Sequence, residues 1–200
     1  MRKESYLVID EKKIPLSEDQ IRMIKGGEKK LGELMPGDLF KVGDYEFIVL
    51  EDLEIGTAVI LKELLHVCQE FGKNNNYNGA NVDALCNKFA EEIKGIIGKE
   101  NLIEHTVDLT SDDGLKDYGE IRRFASLLTA DRYRRYVEIL DKYKLDDWWW
   151  LATAHSTPTH DNALWVKCVS PSGIIDYYSY DYYDGVRPFC IFNSNIFVSK

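Results

Sequence analysis

Long apolar runs are missing from this chain. No stretch approaches the roughly 18 apolar residues that a membrane-crossing helix requires. Met1-Arg2-Lys3-Glu4-Ser5 leads into a short strand-like stretch rather than the apolar segment of a secretory signal. A cytoplasmic protein with no membrane partner is therefore expected. Cysteine is scarce too. Cys68, Cys86, Cys168 and Cys190 lie far apart without a CxxC pair, so reduced and buried thiols are expected, with no chelating loop for zinc. Positive charge is in deficit: 25 Lys and Arg against 34 Asp and Glu leave a net charge of -9. Such a surface repels phosphate, which argues against direct binding of nucleic acid or of anionic membranes. It serves solubility. It also leaves open a protein that offers carboxylates to a basic, nucleic-acid-binding partner.

Signatures of catalysis are absent as well. There is no GxSxG, P-loop, GxGxxG or HExxH pattern. Asp108, Asp112, Asp113, Asp117 and Glu120 form an acidic stretch without the D-x-D-x-D-G spacing of a calcium loop, and a solvated turn is expected. His155-Ser156-Thr157-Pro158-Thr159-His160-Asp161 carries two His and an Asp. Those residue types could hold a transition metal, but their spacing suits neither a helix nor a strand and Pro158 bends the segment. For nucleophilic catalysis, Cys168 with His155 or His160 is the Cys/His set weighed. Strand alternation turns this thiol inward, and a buried apolar thiol is inert. A non-catalytic protein with neither cofactor nor metal is the expectation.

What is present reads as strands, then helices, then strands, the order of an α+β domain rather than a parallel βαβ array. Residues 1–33 form a small appendage: a strand at Tyr6-Leu7-Val8-Ile9, a polar turn from Asp10 to Lys13, and extended chain at Ile14-Pro15-Leu16. Ser17 and Gln20 make a capping box for a helix that Gly26-Gly27 ends. Residues 34–200 form the main domain. Leu39–Val42 and Tyr45–Leu50, joined at Gly43-Asp44, predict a hairpin, and Thr57–Leu61 a third strand. Val82, Leu85, Phe89, Ile93 and Ile96 recur at helical spacing before Gly98. Thr129 caps a second helix lined by Tyr133, Tyr136, Val137 and Leu140. Strands are predicted again over 148–151, 164–169, 174–178 and 186–192.

Several of these residues resemble a family. Asp147-Trp148-Trp149-Trp150-Leu151-Ala152-Thr153, then Trp165-Val166-Lys167-Cys168-Val169 with Ser172-Gly173, then Gly185-Val186-Arg187-Pro188, are similar to a "WWWLR[ST]…VRCV…G…GVRPAL" signature. It belongs to an uncharacterised bacterial and phage domain family. Gly37-Asp38 with Tyr45–Leu50 resembles the opening of the same family. The resemblance runs from about Leu34 to the C-terminus. It departs at Ala152, where the family has Arg, and at Phe189-Cys190, where it has Ala-Leu. It implies a C-type-lectin-like fold, with 148–151, 165–169 and 186–192 in one antiparallel sheet, and a phage or prophage setting. It implies no activity.

The segment Asp176-Tyr177-Tyr178-Ser179-Tyr180-Asp181-Tyr182-Tyr183-Asp184 has the composition of a paratope: rigid amphipathic rings among adaptable polar groups. An ordinary edge hairpin is the alternative, since Tyr is a good strand former. As a binding surface, alternation places Tyr178, Tyr180 and Tyr182 on one side and Tyr177 and Tyr183 on the other. Asp176, Asp181 and Asp184 would rim it, with Trp149 or His155 beside it. Tyr178, Tyr180, Tyr182, Asp181, Trp149 and His155 are thus the candidate ligand-binding residues. A protein or glycan is the expected ligand, and self-association is compatible with that reading.

Overall fold

The computed structural model describes residues 6–9, 12–15, 28–161 and 163–199. The predicted helix between Ser17 and Gly27 lies outside the described residues. Strands β1 (Tyr6–Ile9) and β2 (Lys12–Pro15) form an antiparallel hairpin with Leu7 opposite Ile14. Lys12 and Lys13, expected in the turn, already belong to its second strand.

The largest sheet grows from a meander. Strand β3 (Glu28–Lys30) lies at one edge. Strands β4 (Leu39–Val42), β5 (Tyr45–Leu53) and β6 (Gly56–Leu61) then pair in sequence. In β4, Phe40 and Val42 are buried while Lys41 is exposed, the alternation its sequence shows. Strand β6 is buried along its whole length, because its two faces feed two separate cores. Val59 and Leu61 join one, Ala58 and Ile60 the other. Short strands β8 (Leu102–Ile103) and β11 (Ala125–Ser126) add at the far side, and β16 (Phe189–Phe192) and β17 (Phe197–Ser199) return from the end of the chain. A two-stranded ribbon of β9 (His105–Asp108) and β10 (Glu120–Arg123) stands apart.

One helix belongs to each core. Helix α1 (Asn81–Ile97) buries Val82, Cys86, Phe89, Ala90 and Ile93 in the first. Helix α2 (Ala130–Leu140) buries Ala130, Tyr133, Tyr136 and Leu140 in the second. Both N-termini are anchored. Thr129 Oγ1 accepts the Arg132 N–H at 3.3 Å, and Thr153 Oγ1 accepts the Ala130 N–H at 2.9 Å. Two orphan donors of α2 are thereby satisfied, one of them by the second sheet. Buried Asp83 in the first turn of α1 accepts from the Gly79 N–H and from two nitrogens of Arg123, at 2.8 and 2.7 Å.

The second sheet has the order β14-β13-β12-β15-β7, with β7 (His66–Glu70), β12 (Trp149–Ala154), β13 (Trp165–Val169), β14 (Ile175–Ser179) and β15 (Tyr183–Val186). It too feeds both cores: Trp150, Ala152, Val166 and Cys168 on one face, Trp149, Leu151 and Val169 on the other. The whole is a mixed α+β fold, rich in curled and mostly antiparallel sheet. No helix among the described residues is long and apolar enough to cross a membrane.

The expected single strand 186–192 is in fact two. Strand β15 ends at Val186 beside β12, in parallel, with Trp149 opposite Gly185. Strand β16 starts at Phe189 in the other sheet, antiparallel to β6. The break falls at Arg187-Pro188, where proline has no N–H to continue a ladder. Arg187 is 1 % exposed. Its guanidinium donates to the backbone carbonyls of Leu61, Lys62 and Tyr143 and lies 5.3 Å from the Trp149 ring. Burial without a paired carboxylate pulls its pKa down to about 10.

Candidate functional site

Register sets the site. Strand β14 pairs with β13 so that Tyr178 lies opposite Val166, Tyr177 opposite Lys167 and Asp176 opposite Cys168. Successive side chains leave a strand on opposite faces, so Tyr177 and Tyr178 open two different neighbourhoods.

On the Tyr178 face three rings meet. Trp148 stands edge-on to Tyr178 at 4.9 Å and 65°. Tyr182 stacks on Tyr178 at 4.7 Å and 22°. Trp148 and Tyr178 are half-buried against the first core, while Tyr182 is 54 % exposed. Tyr180, also packed on that core, is held by its backbone: its N–H donates to the Leu164 carbonyl, and its own carbonyl accepts from Phe71 and Gly72. Exposed Asp181 accepts from the Ser179 hydroxyl.

Below the rings sits Asp184. It was expected at the rim, but it is 3 % exposed, because β15 is flanked by β7 and β12. Burial pushes its pKa up to about 7, and its hydrogen-bonding neighbour is the buried Cys168 thiol. Burial, followed by the neighbouring Asp184 and Asp176, pushes that thiol well above its usual range. Asp184 Oδ2 has no hydrogen-bond partner. The Tyr178 hydroxyl is pushed up as well, by burial first and then by the charges of Cys168, Asp184, Tyr182 and Asp176.

The Tyr177 face is built differently. Tyr177 stacks on His155 at 4.6 Å and 20°, meets the edge of Trp165 at 5.7 Å, and lies 5.3 Å from Lys167 Nζ. Lys167 is 7 % exposed and pairs with Asp112 at 3.2 Å; Arg134 pairs with the same carboxylate at 2.8 Å. The acidic stretch is an exposed turn, as expected, but its carboxylates are also bonded within the chain. Asp113 accepts from Ser111, Ser156 and His160, at 2.5, 2.7 and 3.2 Å. Asp117 accepts from Thr157 and Thr159 at 2.5 and 2.6 Å. The hydroxyls of Ser111 and then Ser156 hold the Asp113 carboxyl far below its ordinary value. This network clips the 111–117 loop to the 155–161 loop. Ser156 and His160 both reach Asp113 Oδ2, so the hydroxyl and the imidazole share an acceptor instead of facing each other as nucleophile and base do.

Two candidate residues need correction. Trp149 is 2 % exposed and lies in the second core against Tyr133 at 5.6 Å, away from the tyrosine surface. Alternation sends the outer two tryptophans one way and the middle one the other, and it is Trp148 that reaches Tyr178. His155 lies with Tyr177 and not with the Tyr178 group. Tyr183 is 55 % exposed on the next strand and donates to Glu70 at 2.6 Å. Alternation does not carry through to it, because a turn in which Tyr182 N–H donates to the Ser179 carbonyl separates β14 from β15. Cys68 also departs from expectation: all four cysteines are unpaired, but Cys68 is exposed.

Concavities lie elsewhere. A cleft of about 690 Å³ runs between the end of α1 and β17, lined by Lys30, Lys41, Ile96 and Asn193 among others. Another of about 380 Å³ opens at the start of α2 beside Arg132 and Arg134. Among the described residues no three His, Cys, Asp or Glu side chains are grouped to hold a metal ion. Comparison with family models, with curated proteins and with solved structures finds nothing that matches this chain.

Proposed function

We propose that the chain is a non-catalytic binding protein of phage or mobile-element type, cytoplasmic or carried in a particle. In this reading a C-type-lectin-like scaffold recognises a protein or glycan through the surface spanning 176–184. One observation carries it: Tyr182 is 54 % exposed and stacks on Tyr178 at 4.7 Å, with Trp148 edge-on to the same ring. Clustered exposed rings on a folded domain mark a contact surface, and Tyr gives large contact area at low entropic cost. The loops-and-sheet architecture and the family resemblance support the scaffold. The other reading, an acidic protein covering a basic nucleic-acid-binding partner, draws less support. Asp112, Asp113 and Asp117, which it would present outward, are already bonded to this chain's own donors.

The test is a screen of glycan and protein arrays with the wild-type chain and a Tyr178→Ala/Tyr182→Ala variant. A ligand kept by the wild type and lost by the variant, with an unchanged thermal melt, is the expected result. Equal retention by both, or global unfolding of the variant, removes the proposal.

A further inference from the structure

The outer edge of β14 is open. Ser170 N–H donates to the Ile174 carbonyl and Tyr180 N–H to the Leu164 carbonyl, both at 2.9 Å, in the register that puts Tyr178 opposite Val166. Hydrogen-bonded pairs alternate along an antiparallel ladder, so Ile175, Tyr177 and Ser179 turn their backbone groups away from β13. Strand β14 is the last of its sheet, and no strand meets them there. Two of those groups are used locally: Asp176 Oδ1 accepts the Tyr177 N–H at 2.9 Å, and the Ser179 carbonyl accepts from Tyr182 at 2.8 Å. The Ile175 N–H and carbonyl, the Tyr177 carbonyl and the Ser179 N–H have no hydrogen-bond partner among the described residues. Tyr177 is exposed, and Ile175 and Ser179 are partly so. Folded proteins blunt such edges with charge, proline, a bulge or a cover. Other edges here are blunted: β3 carries Lys29 and Lys30, β10 carries Arg122 and Arg123, and β8 and β11 are two residues long. Strand β7 shifts register against β15, and the Trp150 indole donates to its Gln69 carbonyl at 2.8 Å. Strand β14 has neither Lys nor Pro and pairs with β13 over five residues without a shift.

We infer that β14 accepts an extended segment of another protein as a further strand, with a Lys or Arg of that segment set across from Asp176. This rests on the binding-surface reading and narrows its ligand to a protein, held first through its main chain. A strand added here places side chains on both faces of the sheet. It covers Tyr177, 42 % exposed, on one face, and Tyr178 with Ile174, 64 % exposed, on the other. Charge selects the partner. Asp176 is exposed and takes part in no ion pair among the described residues. Opposite charges directly across a ladder stabilise it, and like charges do the reverse. No Lys or Arg lies between Ser170 and Val186, so a second copy of this edge has no cation to offer Asp176. A chain of net charge -9 also repels its own copy.

The first test needs neither ligand nor variant. Amide hydrogen exchange of the full chain should be fast at Ile175 and Ser179 and slow at Asp176, Tyr178 and Tyr180. Slow exchange at Ile175 and Ser179 overturns the inference, because the edge is then occupied by the chain itself or, where protection grows with concentration, by a second copy. The second test uses a bead library of acetylated octapeptide amides, with Val or Thr at alternate positions and Lys, Glu or Tyr between them. Selected peptides should slow exchange at Ile175 and Ser179 and carry a Lys whose replacement by Glu weakens binding about threefold. Asp176→Asn, whose amide oxygen can still accept the Tyr177 N–H, should remove that difference. A strand on an edge bonds through one side only, so N-methylation of alternate peptide amides should cost about tenfold in one phase and nothing in the other. No selected peptide, the same effect of methylation in both phases, or a Lys preference untouched by Asp176→Asn overturns the inference. The two proposals fail separately. An array ligand that needs Tyr178 and Tyr182 but leaves exchange at Ile175 and Ser179 unchanged keeps the binding surface and removes the added strand. A selected peptide that slows exchange there but binds the Tyr178→Ala/Tyr182→Ala variant as well as the wild type keeps the strand and removes the tyrosine surface.

Discussion

The two faces of the β13–β14 hairpin are made of the same residue types and have reached opposite ends. On the Tyr177 side every carboxylate of the acidic loop has an internal donor: Asp112 has Lys167 and Arg134, Asp113 has two hydroxyls and His160, and Asp117 has two threonines. On the Tyr178 side Asp184 is buried with an oxygen left over, and Asp176 and Asp181 are exposed without an ion pair. One face is electrostatically closed, the other open. Composition cannot separate them, since both are rich in Asp, Tyr, Ser and Trp. What separates them is whether cations of the chain itself, here Lys167 and Arg134, have been folded against the carboxylates; the Tyr178 side has only the Ser179 hydroxyl on Asp181.

Removing the charge on the open face should have the largest effect. Burial raises the Asp184 pKa from its ordinary 3.8 to about 7. A group whose folded pKa is raised contributes fully below its unfolded value, and that contribution is lost as pH rises through about 7. Asp184→Asn, which cannot ionise, should therefore match the wild type near pH 4 and exceed it at pH 8, by at most about 4 kcal/mol. Urea melts at the two pH values measure this; equal gains at both would show that the carboxyl is not held neutral by burial.

The closed face should respond with the opposite sign. Asp113→Ala strands Ser111, Ser156 and His160 and should cost about 2 kcal/mol at pH 7, lowering the melting temperature by roughly 5 °C. Since the folded Asp113 carboxyl titrates below its ordinary range, its contribution is present above about pH 4 and disappears as pH falls through the folded value. Wild type and variant should then converge in strong acid. A gap that persists there would mean the loops are clipped by packing and not by charge.

The smallest effect belongs to the exposed ring. Tyr182→Ala removes a side chain 54 % exposed and should move stability by under about 0.5 kcal/mol. A loss of several kcal/mol in a chemical melt would make the Tyr178 face part of the core and dissolve the contrast.

Much of the scaffold was legible because its signals are local. The β4–β6 meander shows in the alternation around Phe40 and Val42 and in the Gly43-Asp44 turn. Helix α1 shows in the spacing from Val82 to Ile96, and α2 in its Thr129 cap. Strands β7, β9 and β10 were not, because His66–Glu70, His105–Asp108 and Glu120–Arg123 are short and polar, and are strands by virtue of their partners. Proline marks the Arg187-Pro188 break, but the mostly apolar stretch from Val186 to Phe192 reads as one continuous strand. At the site, the tyrosine segment could be located from composition and its first alternation from period two. The side reached by Trp149, the burial of Asp184 and the position of His155 depend on contacts between elements 16 residues or more apart in the chain, and no local pattern carries them.

The Arg187-Pro188 joint has a mechanical consequence. Strand β15 follows directly from Tyr182, and two residues later the same chain becomes β16, which is bonded to β6, β8 and β11 within the large sheet. A ligand pulling on Tyr182 thus loads a tether that ends in the large sheet, between β6, β8 and β11. The Arg187 guanidinium, clamped by three carbonyls from two other segments, acts as a cleat at the point where that tether changes sheets. Tension would be shared as shear among several strands rather than peeling one edge.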